Sequence, residues 1–192
     1  MTPPSYSRRA VFLDRDGTLI QEKEYLAEPD GVTLIPGVPE ALHLLRGGGF
    51  ALVVVTNQSG IARGLYTLED YRAVAERLDE KLAGEGLSLD ATYFCPHHPD
   101  FSGDCECRKP DTGMYRRAEV DLGLDLSSSF FVGDRSKDVA PAVTFSGKGI
   151  LVRTGYGKEE EDAVAEGTEV ADSLLEAARW ILAGEENGGG TR

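Results

Sequence analysis

The chain has 192 residues, of which 41% are hydrophobic and 28% charged, a balance typical of one folded domain with a sizeable core. Its formal net charge at pH 7 is −13. Because nucleic-acid phosphates attract basic patches and repel acidic ones, this charge argues against a nucleic-acid-binding protein. No run of about 18 apolar residues occurs, and residues 1–9 lack the apolar stretch of a signal peptide, so we expect neither membrane spanning nor secretion.

The first predicted element is a strand at residues 10–13, Ala-Val-Phe-Leu, followed at 14–18 by Asp-Arg-Asp-Gly-Thr. Asp and Gly are turn formers, so a simple turn explains part of this segment. A turn does not need a second aspartate, however. Side chains alternate in an extended segment, so Asp14 and Asp16 can point the same way and bind a small hard cation.

Residues 19–36 predict a loop that is too short to hold an inserted cap domain, and a helix is predicted over residues 38–46. The next segment, 50–55, is Phe-Ala-Leu-Val-Val-Val. Such a continuously apolar run is typical of a strand covered by helices on both faces.

This second strand ends in Thr56, and Asn-Gln-Ser-Gly follows at 57–60. A hydroxyl and successive backbone N–H groups can bind an anion, although the segment taken alone is better explained as an ordinary polar loop. Further along, Thr67 and Asp70 have the spacing of a capping box, which predicts that a helix over residues 68–83 begins here.

The third predicted strand, 91–95, is followed by a cluster of cysteine and histidine. All three cysteines of the chain lie in one short segment, which is a poor framework for disulfides. Three thiols and one histidine match a closed tetrahedral zinc site better than redox spacing, and a reactive thiol is the competing interpretation. The candidate ligands are Cys95, His97 or its neighbour His98, Cys105 and Cys107.

Two cations, Arg108 and Lys109, come directly after this cluster and precede a predicted helix over residues 113–121. They are either site residues or surface charges. A fourth strand over residues 129–132 leads into Gly-Asp, which places Asp134 at its end.

The alternation of short apolar runs with amphipathic stretches predicts an α/β fold, a Rossmann-like parallel sheet with helices on both faces, no large cap domain and a zinc-binding loop insert. Asp138 begins the next helix, where aspartate is also a common cap. The remaining expectations are helices at 137–144 and 173–182, a strand at 149–152, one domain over 8–183, and flexible tails at 1–7 and 184–192.

Four predicted strand ends thus present Asp-x-Asp, Thr, Lys and Asp in that order. The full ordered set resembles the haloacid dehalogenase superfamily of aspartate-nucleophile phosphatases, from residue 11 to about residue 157. The resemblance implies a Mg²⁺-dependent phosphomonoester hydrolase in which Asp14 attacks phosphorus and Asp16 is the general acid and base. It also implies the following further roles: Thr56 and Lys109 hold phosphoryl oxygens, Asp14, Asp134 and the Asp16 backbone carbonyl bind Mg²⁺, and Asp138 supports its water shell.

The zinc loop, together with residues 56–64 and 151–157, is similar to the sugar-phosphate phosphatases that remove the 7-phosphate of a heptose bisphosphate. Histidinol-phosphate phosphatases are the alternative relatives. This resemblance implies that His97 is the fourth zinc ligand and that the zinc holds Arg108 and Lys109 at the phosphate. It implies a cytoplasmic bacterial protein, and we expect a monomer that acts on a small phosphorylated sugar. The implied substrate-binding residues are Glu22, Lys23, Glu24, Tyr25, Asn57, Gln58, Ser59, Arg108 and Arg135.

Two other interpretations are open at this point. Polynucleotide 3′-phosphatases carry a similar Thr-Asn-Gln segment, but the acidic net charge and the lack of a basic module count against that activity. A zinc-organised interaction module without catalysis is disfavoured because the carboxylates and the lysine of the phosphatase pattern are all present.

Overall fold

The computed structural model describes residues 7–188, and side chains as far as residue 184. Its six strands form one parallel sheet in the order β3-β2-β1-β4-β5-β6. This is a doubly wound order: from β1 the sheet extends to β2 and β3 on one side and from β4 to β5 and β6 on the other. The point at which the strand order reverses therefore lies between β1 and β4. The strands are β1 Ala10–Leu13, β2 Ala51–Asn57, β3 Ala91–Cys95, β4 Phe130–Gly133, β5 Lys148–Val152 and β6 Glu169–Ala171.

Within residues 7–188, eight helices and three 3-10 turns connect or follow the strands. The helices are α1 Val38–Gly47, α2 Leu68–Gly84, α3 Pro99–Ser102, α4 Gly113–Leu122, α5 Ser136–Val139, α6 Pro141–Phe145, α7 Gly157–Glu160 and α8 Leu174–Gly188, and the 3-10 turns are Pro29–Gly31, Leu126–Ser128 and Glu161–Ala163. The described residues contain no helix with the length and apolar character needed to cross a bilayer.

The strand β1 shows why the sheet needs helices on both sides. All four of its residues are buried, and because side chains alternate along a strand they face two separate cores. Val11 and Leu13 pack with residues of α1, α2 and α8, whereas Ala10 and Phe12 pack with residues of α4 and α6. The sheet is therefore the middle of three layers, as the apolar strand sequences predict.

The predicted α/β fold is confirmed, and so is the capping box at the start of α2. Thr67 Oγ1 accepts from the Asp70 backbone N–H at 3.1 Å, and an Asp70 carboxylate oxygen accepts from the Thr67 N–H at 2.7 Å. Most predicted elements begin and end within two residues of the observed ones.

Three expectations differ from the structure. The helix predicted over residues 137–144 is two short helices, and Pro141, which has no N–H to donate, opens the second of them. The strand β6 was not predicted because it is three residues long and only its last residue is buried. The helix α8 continues past the predicted end at 182, so the predicted tail is helical from 184 to 188, while 1–6 and 189–192 lie outside the described residues.

Candidate active site

A cleft of about 260 Å³ lies at the carboxyl ends of the central strands, where the strand order reverses. Asp14 follows β1 and Asp134 follows β4, and these two strands are neighbours in the sheet. Of the thirteen predicted catalytic and substrate-binding side chains, all but Thr56 and Lys23 line the cleft: Asp14, Asp16, Glu22, Glu24, Tyr25, Asn57, Gln58, Ser59, Arg108, Lys109 and Arg135. Thr56 is buried directly beneath it, and Lys23 instead donates to the Gly31 carbonyl at 2.8 Å.

Three carboxylates meet at the floor of the cleft. Asp14, Asp134 and Asp138 each offer one oxygen, and these oxygens lie within 4.8 Å of one another. Asp134 is 1% exposed; its Oδ2 accepts from the Tyr156 N–H at 2.9 Å, while its Oδ1 has no hydrogen-bond partner among the described residues. Burial and the Asp14 charge together raise the pKa of Asp134 to about 8. A buried oxygen without a partner in such a cluster fits a hard divalent cation such as Mg²⁺.

Lys109 supplies the positive charge next to this cluster. Its Nζ contacts one oxygen each of Asp14 and Asp138 at 2.8 Å and donates to the Val55 carbonyl at 2.6 Å. Burial disfavours the ammonium ion, but the carboxylates of Asp138 and Asp14 outweigh it and raise the pKa of Lys109 well above its usual value. In turn Lys109 lowers the pKa of Asp14, against the effect of burial.

The route by which Lys109 reaches the site differs from the sequence expectation. It does not follow a strand end; it lies in the loop between β3 and α4, beyond Cys107. The side chain of Asn57 at the end of β2 holds this loop. Its Oδ1 accepts from the Lys109 N–H at 3.0 Å and its Nδ2 donates to the Lys109 carbonyl at 3.1 Å. The Asn57 amide, predicted to bind substrate, is therefore engaged with protein backbone.

Asp16 is not a member of this carboxylate cluster, and its side chain binds Arg15 and Gln58. The Arg15 guanidinium donates to both Asp16 oxygens over 2.9–3.2 Å. Gln58 Nε2 donates to Asp16 Oδ2 at 3.0 Å and to Thr56 Oγ1 at 2.9 Å. Asp16 and Thr56, two of the four residues with predicted catalytic roles, thus share one buried amide.

A segment that the sequence analysis did not place in the site, residues 154–156 after β5, packs on the Asp-x-Asp turn. Thr154 Oγ1 donates to the Gly17 carbonyl at 2.6 Å. Gly17 and Gly155 have φ angles of +77° and +56°, and a Cβ on either would overlap the Asp134 carboxylate. Only glycine permits both the backbone conformation and this approach. The Thr-Gly-Tyr-Gly sequence after a predicted strand was the available signal.

The four predicted zinc ligands converge beside the cleft. The three Sγ atoms are 3.1–3.6 Å apart, and His97 Nδ1 lies 3.2 Å from Cys107 Sγ and 3.7 Å from Cys95 Sγ. A tetrahedron with Zn–S bonds of 2.3 Å has edges of about 3.8 Å, so the donor set suits zinc. The candidate ligand atoms belong to Cys95, His97, Cys105 and Cys107.

His98 lies outside this cluster. Its Nδ1 accepts from the Asp100 N–H at 3.2 Å, which caps the helix α3, and its Nε2 lies 2.7 Å from an Arg63 nitrogen. The choice between the two histidines, which the spacing left open, is thereby decided in favour of His97 as the side chain beside the thiols.

The rim of the cleft carries charges of both signs. Glu22 is half-buried, and burial together with the Asp16 and Asp14 charges raises its pKa to about 7. Tyr25 is 43% exposed and has a φ of +55°, a strained value for a non-glycine residue. Arg135 stacks on the Tyr156 ring at 3.7 Å, while Arg108 donates to the His97 carbonyl at 3.0 Å.

The chain is similar to a family model, to related sequences and to solved structures. The family model described as HAD-hydrolase-like matches residues 106–177. A D-glycero-beta-D-manno-heptose-1,7-bisphosphate 7-phosphatase of Yersinia pestis is 46% identical over 172 residues, covering 86% of this chain and 89% of the relative. The protein of that name from Escherichia coli K12 is 45% identical over 152 residues, covering 76% and 80%.

Solved structures agree with these relatives. The D,D-heptose 1,7-bisphosphate phosphatase of B. bronchiseptica, determined with magnesium and phosphate, aligns with a TM-score of 0.84 and 33% identity, covering 93% of this chain and 99% of that one. The corresponding protein of Burkholderia thailandensis aligns with a TM-score of 0.71 and 30% identity, covering 92% and 99%. The chain therefore belongs to the heptose-bisphosphate phosphatase family of HAD-like hydrolases.

Proposed function

We propose that this protein is a Mg²⁺-dependent phosphatase that removes the 7-phosphate of D-glycero-D-manno-heptose 1,7-bisphosphate through an aspartyl-phosphate intermediate. The observation that carries the proposal is the buried ion cluster, in which Lys109 contacts both Asp14 and Asp138 beside an unpartnered Asp134 oxygen. A charge cluster of this kind is costly to bury, and it fits a dianionic phosphoryl group whose charge must be neutralised.

In the proposed chemistry an Asp14 carboxylate oxygen attacks phosphorus, and the bond from phosphorus to the sugar oxygen breaks. Asp16 gives its proton to the leaving alkoxide, so that a neutral alcohol departs. Asp16 then takes a proton from a water molecule, which attacks the aspartyl-phosphate and releases inorganic phosphate. Thr56 Oγ1 and Lys109 Nζ hold the phosphoryl oxygens during both steps.

Asp14 and Asp134 are the proposed ligands of Mg²⁺, joined by the Asp16 backbone carbonyl, and Asp138 supports its water shell. Bound Mg²⁺ would supply charge neutralisation at the phosphoryl oxygens. The oxygen-only donor set and the unpartnered Asp134 Oδ1 support this assignment.

For the substrate, the relatives' names and the lining of the cleft point the same way. Arg63, Arg108 and Arg135 line the cleft together with Lys109, so a second phosphate on the same small sugar finds cations at the rim. Glu22, Glu24, Tyr25 and Ser59 lie beside them and are the proposed contacts for sugar hydroxyls.

We propose that Cys95, His97, Cys105 and Cys107 bind a structural Zn²⁺. Their mutual distances and the absence of a carboxylate from the set support zinc over Mg²⁺. Ligands of this kind need reduced thiols, which is the state that the cytoplasm maintains, and a cytoplasmic monomer is the proposed form of the enzyme.

The test is steady-state hydrolysis with Mg²⁺ for wild-type protein and the variant Asp14→Asn. Loss of the nucleophile should lower kcat at least about a thousandfold, while the melting temperature should stay close to that of the wild type because Lys109 keeps its contact with the Asp138 carboxylate. Comparable activity in the variant would exclude Asp14 as the nucleophile. The kcat/KM for heptose bisphosphate should exceed that for histidinol phosphate at least about tenfold, and the reverse order would reassign the substrate.

A further inference from the structure

The side chain of Gln58 is 2% exposed, and both atoms of its amide are engaged. Its Oε1 accepts from the Tyr66 hydroxyl at 2.6 Å and from Arg15 Nη2 at 3.1 Å. Its Nε2 donates to Asp16 and to Thr56. Four side chains are therefore joined through one amide group that has no direct role in the proposed reaction.

The direction of every hydrogen bond in this network follows from chemistry. A guanidinium group only donates, so the Gln58 atom next to Arg15 must be the carbonyl oxygen. Burial raises the pKa of Tyr66 to about 12, so its hydroxyl keeps the proton that it donates to the same oxygen. With Oε1 fixed by two donors, the amide nitrogen must face Asp16 and Thr56.

This fixed direction decides which hydrogen bonds Asp16 and Thr56 can still make in the proposed reaction. Thr56 Oγ1 is an acceptor for Gln58, so its own hydroxyl proton is available to a phosphoryl oxygen rather than to the protein. Asp16 Oδ2 is held at 3.0 Å by the amide, which restrains the carboxylate that must face the leaving group. If the Gln58 amide were flipped, its oxygen would face Asp16 and Thr56. The carboxylate would lose its donor, and the threonine hydroxyl would donate its proton to Gln58 instead of to a phosphoryl oxygen.

The position of Tyr66 is itself built into the fold. The residue is 7% exposed and comes directly before Thr67, the cap of the helix α2. Its ring lies so close to Gly60 that a Cβ there would overlap the ring. The β2–α2 loop is therefore shaped to bring this hydroxyl onto Gln58, although another aromatic residue would fill the same apolar space.

We propose that Gln58 and Tyr66 are positioning residues that set the direction of the hydrogen bonds at Asp16 and Thr56, with Asp16 held for proton transfer to the leaving alcohol. This inference rests on the proposed function, because it needs Asp16 as the general acid. It gives Gln58 a task other than the substrate contact expected from the sequence.

The test uses Tyr66→Phe, which removes one hydroxyl and keeps the ring against Gly60. The substrates are heptose bisphosphate, whose alkoxide needs a proton, and p-nitrophenyl phosphate, whose nitrophenolate leaves without one. General acid catalysis contributes about 10²–10⁴-fold, so a misplaced acid should lower kcat/KM for the sugar about tenfold or more and for the nitrophenyl ester less than about threefold. A merely structural defect would slow both substrates alike, and equal slowing or no slowing overturns the proposal.

The matched control is Tyr93→Phe, which removes a hydroxyl that donates to Asp121 on α4 at 3.0 Å, away from this network. It should leave both kcat/KM values unchanged. A second variant, Gln58→Glu, keeps the acceptor for Tyr66 and Arg15 but puts an oxygen against Asp16 and Thr56. It should slow the sugar more than Tyr66→Phe does, with its folded state verified by melting temperature and circular dichroism.

Wild-type activity separates this inference from the proposed function. A wild type that hydrolyses neither substrate overturns both. If it hydrolyses other alkyl phosphates but not the heptose, only the proposed sugar is wrong. The effect of Tyr66→Phe on kcat/KM is then compared between that alkyl phosphate and p-nitrophenyl phosphate.

Discussion

At the scale of single residues, Lys109 supplies the positive charge that balances the carboxylates of the site. It is 2% exposed and compensates the buried carboxylate of Asp138 and the mostly buried carboxylate of Asp14. The sequence identified the residue, because a lysine after a cysteine cluster and before a helix fits the phosphatase pattern. It did not reveal that Asn57 binds the backbone N–H and carbonyl of this lysine. A sequence pattern does not distinguish an amide side chain that contacts substrate from one that contacts protein backbone.

We expect Lys109→Met to destabilise the protein as well as inactivate it. Removing one partner of a buried ion pair leaves uncompensated charge and costs about 3–5 kcal/mol of unfolding free energy. The matched control is Arg117→Met, because Arg117 pairs with Asp121 on the surface at 3.4 Å with a side chain that is 75% exposed. Exposed pairs contribute at most about 1 kcal/mol.

Urea denaturation of the two variants measures this difference. The prediction fails if Lys109→Met unfolds at the same urea concentration as Arg117→Met, because the lysine would then not be compensating the buried carboxylates.

At the scale of elements, the long β3–α4 loop is the structure that brings the Lys109 ammonium group to the carboxylates of Asp14 and Asp138. The loop, residues 96–112, contains one short helix, α3. It is held by the thiol cluster, by Asn57 and by a hydrogen bond from the Gly113 N–H to the Glu106 carbonyl at 2.9 Å. Cys107 is two residues from Lys109 in the sequence. A metal at the thiols would therefore fix Lys109 without touching substrate.

We expect His97→Ala to lower zinc content well below one ion per chain and His98→Ala to leave it unchanged. Only His97 places a ring nitrogen among the thiols, and a three-ligand site with an open position holds structural zinc less tightly. Inductively coupled plasma mass spectrometry on protein purified without chelators gives the ratio. Equal zinc in both variants would remove His97 from the ligand set.

The same variant tests the link between the loop and catalysis. With the loop loosened, His97→Ala should lose about 10–100-fold in kcat with Mg²⁺ saturating, as is common when groups that orient a site are removed. Full activity in a zinc-depleted variant would show that Lys109 is positioned without the metal.

At the scale of the whole molecule, the chain is acidic but several of its basic side chains line the active-site cleft. The net charge is −13, yet the cleft is lined by six basic side chains: Arg15, Arg63, Arg108, Lys109, Arg135 and Lys137. A small anion can enter such a cleft, while an extended polyanion must also lie along the acidic surface outside it. Shape and charge together favour a small phosphorylated substrate.

We therefore expect the protein to be a poor phosphatase for phosphorylated nucleic acid. At 50 mM salt, where electrostatic attraction would be strongest, kcat/KM for a 3′-phosphorylated oligonucleotide should be at least about a hundredfold below that for heptose bisphosphate. Hydrolysis assays on a DNA 10-mer and on the sugar under one buffer make the comparison. Oligonucleotide hydrolysis within tenfold of the sugar would restore the polynucleotide alternative.

Local sequence patterns were enough to predict the reaction class and the fold class. Apolar runs that are covered on both faces specify a parallel sheet, and Asp14, Asp16, Thr56 and Asp134 follow or end such runs, so local patterning is enough to place them at one edge. The thiol spacing likewise predicted the cluster, because ligands close in sequence need little tertiary information.

Tertiary structure alone decided how these groups are held. The strand order sets β1 beside β4 although β2 and β3 lie between them in the sequence. Only then do the carboxylates meet, and only then does Tyr66 reach Gln58, or the loop after β5 reach Gly17. The physical reason is that hydrogen-bond direction and buried charge depend on which side chains share a space, and a linear pattern does not contain that information.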